Sequence, residues 1–555
     1  MRRLQTILAC ALLFASILAA SGPGAEAAKP QSLMAGRRSV DAALLAQARA
    51  NANGASTGVD NPAPSEIECA TETIGPSDHN LDCDHPWLPK NEQDIEVDPN
   101  DPLHMVVSAN DYESCCDQYD TTFDGGDHWT TGDMSKEDLT RIGSDPVTVF
   151  DPVSHNVIHS SLNFTFNQDG ADDGDLVVSL SHNGGLTWPD VVVVGNGLGD
   201  DNDPSQLFWD KEWLVTDTNP LSPYYGRTYM TSTLFFSEFG AYKKSPIYLS
   251  YSDDGGETWT SPKVISGKSN ALCTFQVAGA SGVCDQDQFS VPTVGPDGTV
   301  YVAFENEQNQ SIWEGPGEVD NQYLLVRSFD GGATWTKPRF VVGMEDGRSD
   351  YPINVDGRQT VSKLQFRLNS AGNIVADPDN NGQLYVAFSD NRNGTKQETN
   401  VDVFLMRSTN GGQTWSGPHL VSDAPGDDLD LSDQWFPWVD VSSQGTVGVV
   451  YNDRTGVGTY EVTFAETAPW GGGSPSWTYT DVTSAASNPR NSLVFQAGVQ
   501  GCFKCATFIG DYINVDYGSD EAANLAWTDM RQFVVLGSNP LDQGYTQHSF
   551  FRRIP

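Results

Sequence analysis

The feature that most constrains this chain is a polar octapeptide that recurs five times: TFDGGDHW (122–129), SHNGGLTW (181–188), SDDGGETW (252–259), SFDGGATW (328–335) and STNGGQTW (408–415). It is too short to be a domain and too polar to be a core. Its chemistry suits a tight turn between two antiparallel strands. The Asp or Asn at the third position can accept backbone N–H bonds inside the turn, the glycines supply positive φ, and the Trp packs into a sheet interface with its indole N–H free to find a partner. Successive third positions (Asp124, Asn183, Asp254, Asp330, Asn410) are separated by roughly 60–80 residues, enough for one four-stranded sheet per repeat.

A second repeat extends beyond the octapeptides. Seven runs read as strand, turn, strand: DIEVDPNDPLHMVVSAND, DPVTVFDPVSHNVIHSSLNF, KEWLVTDTNPLSPYYGRTYMTSTL, SVPTVGPDGTVYVAFENEQ, NIVADPDNNGQLYVAFSDNR, PWVDVSSQGTVGVVYNDR and YINVDYGSDEAANLAWTDMR. Short β-branched and aromatic runs punctuated by Gly, Asp, Asn and Pro are all-β texture. Each run is expected to form the first two strands of a propeller blade, and in the first five the octapeptide then joins the third strand to the fourth. Counting inner strands favours seven blades. Six, with one unit giving only a closing strand, is the alternative.

The domain reading follows. Residues 1–27 carry two arginines, an apolar run and small residues before Ala27, the pattern of a secretory signal peptide. Residues 28–90 read as a flexible linker ending in a cysteine-bearing segment, and 91–555 as the propeller. No later stretch is long and apolar enough to span a membrane, so a secreted, extracellular or periplasmic location is expected. Of nine cysteines, Cys10 leaves with the leader, and an even set remains, which fits disulfides in an oxidising compartment. Cys273 with Cys284, and Cys502 with Cys505, are spaced to close local loops; Cys69, Cys83, Cys115 and Cys116 leave other pairings open. A formal charge of −43 excludes nucleic acid as a partner and means that an anionic substrate needs a local cluster of arginines.

The five octapeptides resemble the Asp-box, or BNR, repeats of the sialidase superfamily, and the resemblance covers the chain from about residue 91 to its end. In that superfamily the boxes lie on the face away from the active site, which implies that chemistry sits at the ends of the inner strands. Three such ends share a pattern, FSDNR (Asp390, Arg392), YNDR (Asn452, Arg454) and WTDMR (Asp529, Arg531), while FENEQ supplies Glu305 and Glu307. Arg392, Arg454 and Arg531 either clamp a substrate carboxylate or brace their own strand ends; both readings stay open. The segment AFSDNRNGTKQETNVDVFLMRSTNGGQTW is similar to the superfamily's first-blade signature, implying Asp390 or Glu398 as acid. The superfamily's nucleophile is a Tyr paired with a Glu, which implies Tyr512 with Glu305 or Glu307; that role requires the hydroxyl within hydrogen-bond reach of the glutamate.

The terminal FFRRIP (550–555) matches a superfamily arginine motif in the wrong place and is set aside. The loops DGADDGD (169–175) and GDDNDP (199–204) are suited to calcium, DKEW (210–213) places Asp210 and Glu212 near an inner strand, and no HExxH pattern marks a catalytic metal. No cofactor is expected. Two function classes follow: a secreted sialidase-like glycoside hydrolase, in its specific form an exo-α-sialidase, or a non-catalytic extracellular propeller that binds a glycan or protein. Either way the expected partner is a carbohydrate or glycoconjugate.

Overall fold

The computed structural model describes residues 65–67, 78–82, 88–112, 116–136, 141–167, 170–199, 205–307, 321–347, 350–355, 358–423, 432–499, 502–535, 538 and 543–555. The leader, most of the linker, Cys69, Cys83 and Cys115 lie outside these residues, as does the proposed calcium loop 199–204 beyond Gly199; of the other, 170–175 belong to a strand in which Asp173 and Asp175 meet Arg141 Nη2 at 2.8 and 2.7 Å.

All seven strand–turn–strand runs form antiparallel pairs. Each opens a four-strand meander. Sheet 1 runs Lys90–Asp98, Asp101–Asp111, Cys116–Thr122, Trp129–Asp133, and sheet 2 runs Ile142–Phe150, Val157–Asn167, Gly170–Ser181, Asp190–Gly195. Sheet 3 is Ser205–Thr216, Thr228–Glu238, Ile247–Ser252, Lys263–Val264, with a single parallel bridge from Phe208 to Gly174 joining it to sheet 2. Sheet 4 is Asp287–Val294, Val300–Asn306, Asn321–Ser328, Arg339–Met344; sheet 5 is Ile374–Ala376, Leu384–Asp390, Asp402–Ser408, Ser416–Leu420; and sheet 6 is Gln434–Val441, Val447–Asp453, Glu461–Thr467, Thr478–Asp481. Sheet 7 takes Asn514–Tyr517, Ala523–Asp529 and His548–Ile554 from the C-terminus, but its fourth strand, His79–Asn80, comes from the N-terminal region. FFRRIP is therefore the end of a sheet strand.

Every octapeptide joins the third strand of its sheet to the fourth, as expected. In SDDGGETW the Asp254 carboxylate accepts the Thr258 N–H (2.9 Å) and hydroxyl (2.6 Å), the Ser252 hydroxyl accepts the Gly256 N–H (3.0 Å), and the Trp259 indole donates to Gly256 O (2.8 Å). The last four turns also lock to the preceding sheet through their first glycine carbonyl. His104 Nε2 lies 2.8 Å from Gly184 O, Asn156 donates to Gly255 O (2.9 Å), and Arg227 donates to Gly331 O (2.7 Å). Arg327 does the same to Gly411 O. Sheets 6 and 7, which lack octapeptides, are tied by Glu521, which accepts from the Ser443 hydroxyl and from Gln444 N (3.2 Å).

One continuous apolar cluster draws on the first strands of sheets 2 to 7 through Val147, Trp213, Val291, Ile374, Trp438 and Val515, while Ile95 and Val97 of sheet 1 pack with Ala526 and Phe551 of sheet 7. Trp213 of sheet 3 meets Trp438 of sheet 6 with ring centroids 4.4 Å apart, and Tyr512 of sheet 7 meets Trp213 edge-on at 5.2 Å. Burying such rings contributes ~2–3 kcal/mol each. Cys273 and Cys284 form the expected disulfide, and Cys505 is disulfide-bonded. No helix among the described residues is long and apolar enough to cross a membrane.

The octapeptide lock is testable at Gly412, where φ is 73° and an added Cβ would stand 2.1 Å from Leu325 Cδ2 of the neighbouring sheet. Gly412→Ala is expected to lower the urea unfolding free energy by ~2–4 kcal/mol. Gly471→Ala, where a Cβ meets nothing within 4 Å, is expected to change it by less than ~0.5 kcal/mol.

Candidate functional site

The three strand-end arginines are all engaged. Arg392 grips Asp390 through Nε (2.7 Å) and Nη2 (2.6 Å) and donates to Gly343 O on the outer strand of sheet 4. Arg454 binds the buried Asp433 carboxylate and the carbonyls of Ser362, Gly456 and Val457. Arg531 binds Asp529 through Nε (2.9 Å) and Nη2 (2.7 Å), and Asp78 through Nη1 (2.9 Å). Each guanidinium thus braces a loop or a junction between sheets, the second of the two roles open to it in sequence. Glu398 lies exposed on a turn closed by Thr395.

The sequence-predicted nucleophile pair is not formed. The Tyr512 hydroxyl donates to Pro146 O (3.1 Å), and Glu305 Oε1 accepts instead from Asn321 Nδ2 (3.2 Å). Tyr512 lies two residues ahead of the inner strand Asn514–Tyr517, in a packing position, with its hydroxyl pushed well above the ordinary phenol range by burial and by the charges of Glu92, Asp145, Asp94 and Glu212. Those acids mark a different centre.

That centre is built by a repeated backbone irregularity. In five sheets the first strand carries one extra residue against its partner, between Asn91 and Asp94, Ser144 and Val147, Asp210 and Trp213, Gln288 and Val291, and Trp435 and Trp438. The residue after each bulge opens has positive φ: Glu92 (61°), Asp145 (60°), Lys211 (52°), Phe289 (52°) and Phe436 (52°). On sheet 7, Gly510 (φ 94°) takes this conformation, and its Cβ position faces Glu92 N at 3.0 Å. Such φ in a bulky L-residue costs on the order of 1–3 kcal/mol and persists where surrounding structure enforces it. A bulge also re-aims its side chain. Bulges on sheets 1, 2 and 3 bring Glu92, Asp145 and Lys211 together, Gly510 ahead of sheet 7 brings Asp511 near them, and sheets 4 and 6 place phenylalanines at the bulge.

None of Glu92, Asp94, Asp145, Lys211, Glu212 and Tyr512 is more than 4 % exposed. Lys211 Nζ stands 3.6 Å from the centroid of the Tyr512 ring and 4.4 Å from that of Trp213, and has no hydrogen-bond partner among the described residues. Burial pushes its ammonium down, against the charges of Asp145, Glu92, Asp511 and Glu212. Glu212 has neither carboxyl oxygen bonded, and burial with the charge of Asp145 lifts it well above the ordinary carboxyl range. Glu92 is lifted by burial and by Asp145 and Asp511; its Oε2 accepts from Asn110 (2.6 Å), while Oε1 is unpartnered. Asp511 is held by Arg367 and by Asn369 Nδ2 (3.2 Å). The ensemble offers carboxyl groups kept protonated, a carboxylate held by a guanidinium, and a desolvated amine on an aromatic floor. No three His, Cys, Asp or Glu side chains among the described residues are arranged to hold a metal ion.

DKEW was the sequence signal for Glu212, placed there with Asp210 near an inner strand; Lys211 was not singled out. Glu92, Asp145 and Asp511 gave no signal, since the extra residue breaks the alternation that assigns faces.

No family model and no curated protein matches the chain. Among solved structures, a protein of unknown function from Dyadobacter fermentans is similar at 13% identity over 76% of this chain and 97% of its own, with a TM-score of 0.44. The NanB sialidase of Streptococcus pneumoniae aligns at 10% identity over 81% of this chain and 83% of its own (TM-score 0.40), and an ulvan lyase of a polysaccharide-lyase family at 12% over 83% and 94% (TM-score 0.42).

Burial pushes Asp94 up to about 7, offset only in part by hydrogen bonds from Thr148 N and Asn514. In the unfolded chain this carboxyl releases its proton near 3.8, so between those values the folded state holds a proton that the unfolded state has lost. Stability present at acid pH is therefore lost as pH rises through this window. The urea midpoint is expected to fall from pH 4 to pH 8, and Asp94→Asn to flatten that fall by on the order of a few kcal/mol.

Proposed function

We propose that the seven sheets close into a seven-bladed β-propeller and that the exported chain is a glycoside hydrolase working from the cluster around Lys211. Closure is supported by the pairing of His79–Asn80 with the C-terminal strand and by the Val97 N–H donating to Asp516 of sheet 7 (2.7 Å). Contacts of each first strand with the next, including Lys90–Asp98 with Asn514–Tyr517, support it too.

The observation that carries the functional reading is Glu212, a buried carboxyl with both oxygens unpartnered beside an unpartnered lysine. Glycoside hydrolysis needs one carboxyl that gives a proton to the leaving oxygen and a second carboxylate that attacks the sugar or activates water. Glu212, held protonated by burial, supplies the first. Asp145 or Asp511, both close enough to act on the Lys211 charge, supplies the second. Lys211 steadies the negative charge that forms, and Trp213 and Tyr512 give a sugar ring an apolar floor.

An exo-α-sialidase is the specific form of this reading. It would use Arg392, Arg454 and Arg531 as a carboxylate clamp, Tyr512 with Glu305 as the nucleophile pair, and Asp390 or Glu398 as acid. The ion pairs around the three arginines and the Tyr512–Pro146 bond weigh against it. The second reading, a propeller that binds glycan or protein without catalysis, is favoured by the near-complete cover over the Lys211 cluster.

The test is turnover of a panel of fluorogenic glycosides by the purified exported chain. Glu212→Gln, close to isosteric, is expected to lower kcat at least ~100-fold on any substrate turned over, with an unfolding midpoint no lower than that of the parent chain. Turnover lost in Arg392→Ala but kept in Glu212→Gln would move the site to the strand ends; no turnover of any glycoside would leave the binding module.

A further inference from the structure

Resting on the reading of the Lys211 cluster as a glycan site, we infer that its ligand is an uncharged, hydroxyl-rich sugar and that sugars bearing a carboxylate are excluded. A buried polar atom without a partner marks what is missing from a site, because native interiors leave few such atoms. Here partners of both kinds are missing, since a protonated carboxyl wants an acceptor for its O–H and a donor for its carbonyl oxygen, and an ammonium wants acceptors. Glu212 presents two unbonded oxygens and Glu92 one, and Lys211 Nζ is the only unpartnered cation beside them among the described residues. Sugar hydroxyls both donate and accept, so one ring can donate to Glu212 and Glu92 and accept from Lys211.

A carboxylate fits the same place poorly. It accepts and cannot donate, so the carbonyl oxygen of Glu212 stays without a donor, and it would approach a centre where Glu92, Asp145, Glu212 and Asp511 already act on the single lysine. The cations that could receive it are committed: Arg367 to Asp511, Arg392 to Asp390, Arg454 to Asp433, and Arg531 to Asp529 and Asp78. Freeing any of them leaves a buried carboxylate unpaired, which costs more than the new pair returns. The formal charge of −43 adds long-range repulsion of the same sign.

The experiment uses pairs that differ only in the acid: oligogalacturonate against its methyl ester, and 3′-sialyllactose against its methyl ester. Binding to the exported chain is measured by isothermal titration, and 4-methylumbelliferyl β-glucoside is compared with the β-glucuronide for turnover. At least one neutral member is expected to bind or react tenfold or more better than its acidic twin. Lys211→Met and Glu212→Gln are each expected to weaken that neutral ligand by at least fivefold; two variants are used because removing a buried lysine can disturb folding, which the unfolding midpoint reports. Preference for the acidic twin would overturn this inference while leaving the hydrolase reading standing. Equal affinity within a pair would overturn it too, and no binding by any of the sugars would sink both.

Discussion

The structure depends on how the exposed edge of each first strand is satisfied. A strand at the end of a sheet leaves a row of unpaired N–H and C=O groups, and a buried N–H without an acceptor costs about 1–3 kcal/mol. Here a side chain on one first strand accepts from the backbone of the next. Asp94 accepts from Thr148 N (2.7 Å), Thr293 from Ala376 N (3.0 Å), Asn373 from Val439 N (2.8 Å), Asp440 from Tyr517 N (2.8 Å) and Asp516 from Val97 N (2.7 Å). Thr231 donates to Ser290 O (3.3 Å) between sheets 3 and 4, and the Phe208–Gly174 bridge serves between sheets 2 and 3. Each pair of consecutive sheets, and sheet 7 with sheet 1, thus shares at least one such bond, which is the strongest physical support for the proposed closure.

Given that inner contact, the two ends of each sheet are free to do different things. At one end the octapeptides interlock neighbouring sheets through glycine carbonyls, a role fixed by backbone geometry and indifferent to any ligand. At the other, the bulges turn one residue per sheet out of register. The recurrence of the bulge with Phe289 and Phe436 as well as with Glu92, Asp145 and Lys211 separates architecture from chemistry: the positive φ belongs to the fold, and the identity of the side chain at that step belongs to the site.

This division explains what the sequence disclosed. The seven strand pairs and the placement of all five octapeptides were legible because alternation and turn chemistry are local properties. The Cys273–Cys284 bond was legible from spacing. The fourth strand of sheet 7 was not, since His79–Asn80 pairs with residues more than 400 positions away. The candidate centre around Lys211 was hidden for a related reason. The D/N-x-R ends were conspicuous as motifs, yet Arg392 and Arg531 meet their own strand-end aspartates and Arg454 meets Asp433 at the start of its own sheet. Glu92 and Asp145 were silent because a single inserted residue inverts the face assigned to everything before it.

The acidity of the chain is then more than a surface property. At the junctions of sheets 4, 5 and 6 the acceptors are Thr293 and Asn373, which carry no charge. Where the two ends of the chain meet they are carboxyls, Asp440, Asp516 and Asp94, with Glu96 beside them. Burial pushes Asp440 up to about 6, and burial with the charge of Asp440 lifts Asp516 well above the ordinary range. Glu96 is raised by burial and by the charges of Asp516 and Asp94. Four carboxyls this close cannot all be ionised without mutual repulsion, so protons are part of the junction's bonding. Burial acts in the same direction on Glu212. Raising the pH therefore acts on both groups at once, and loss of the acid form at the junction of sheets 6, 7 and 1 loosens the strand Asn514–Tyr517 that follows Asp511 and Tyr512.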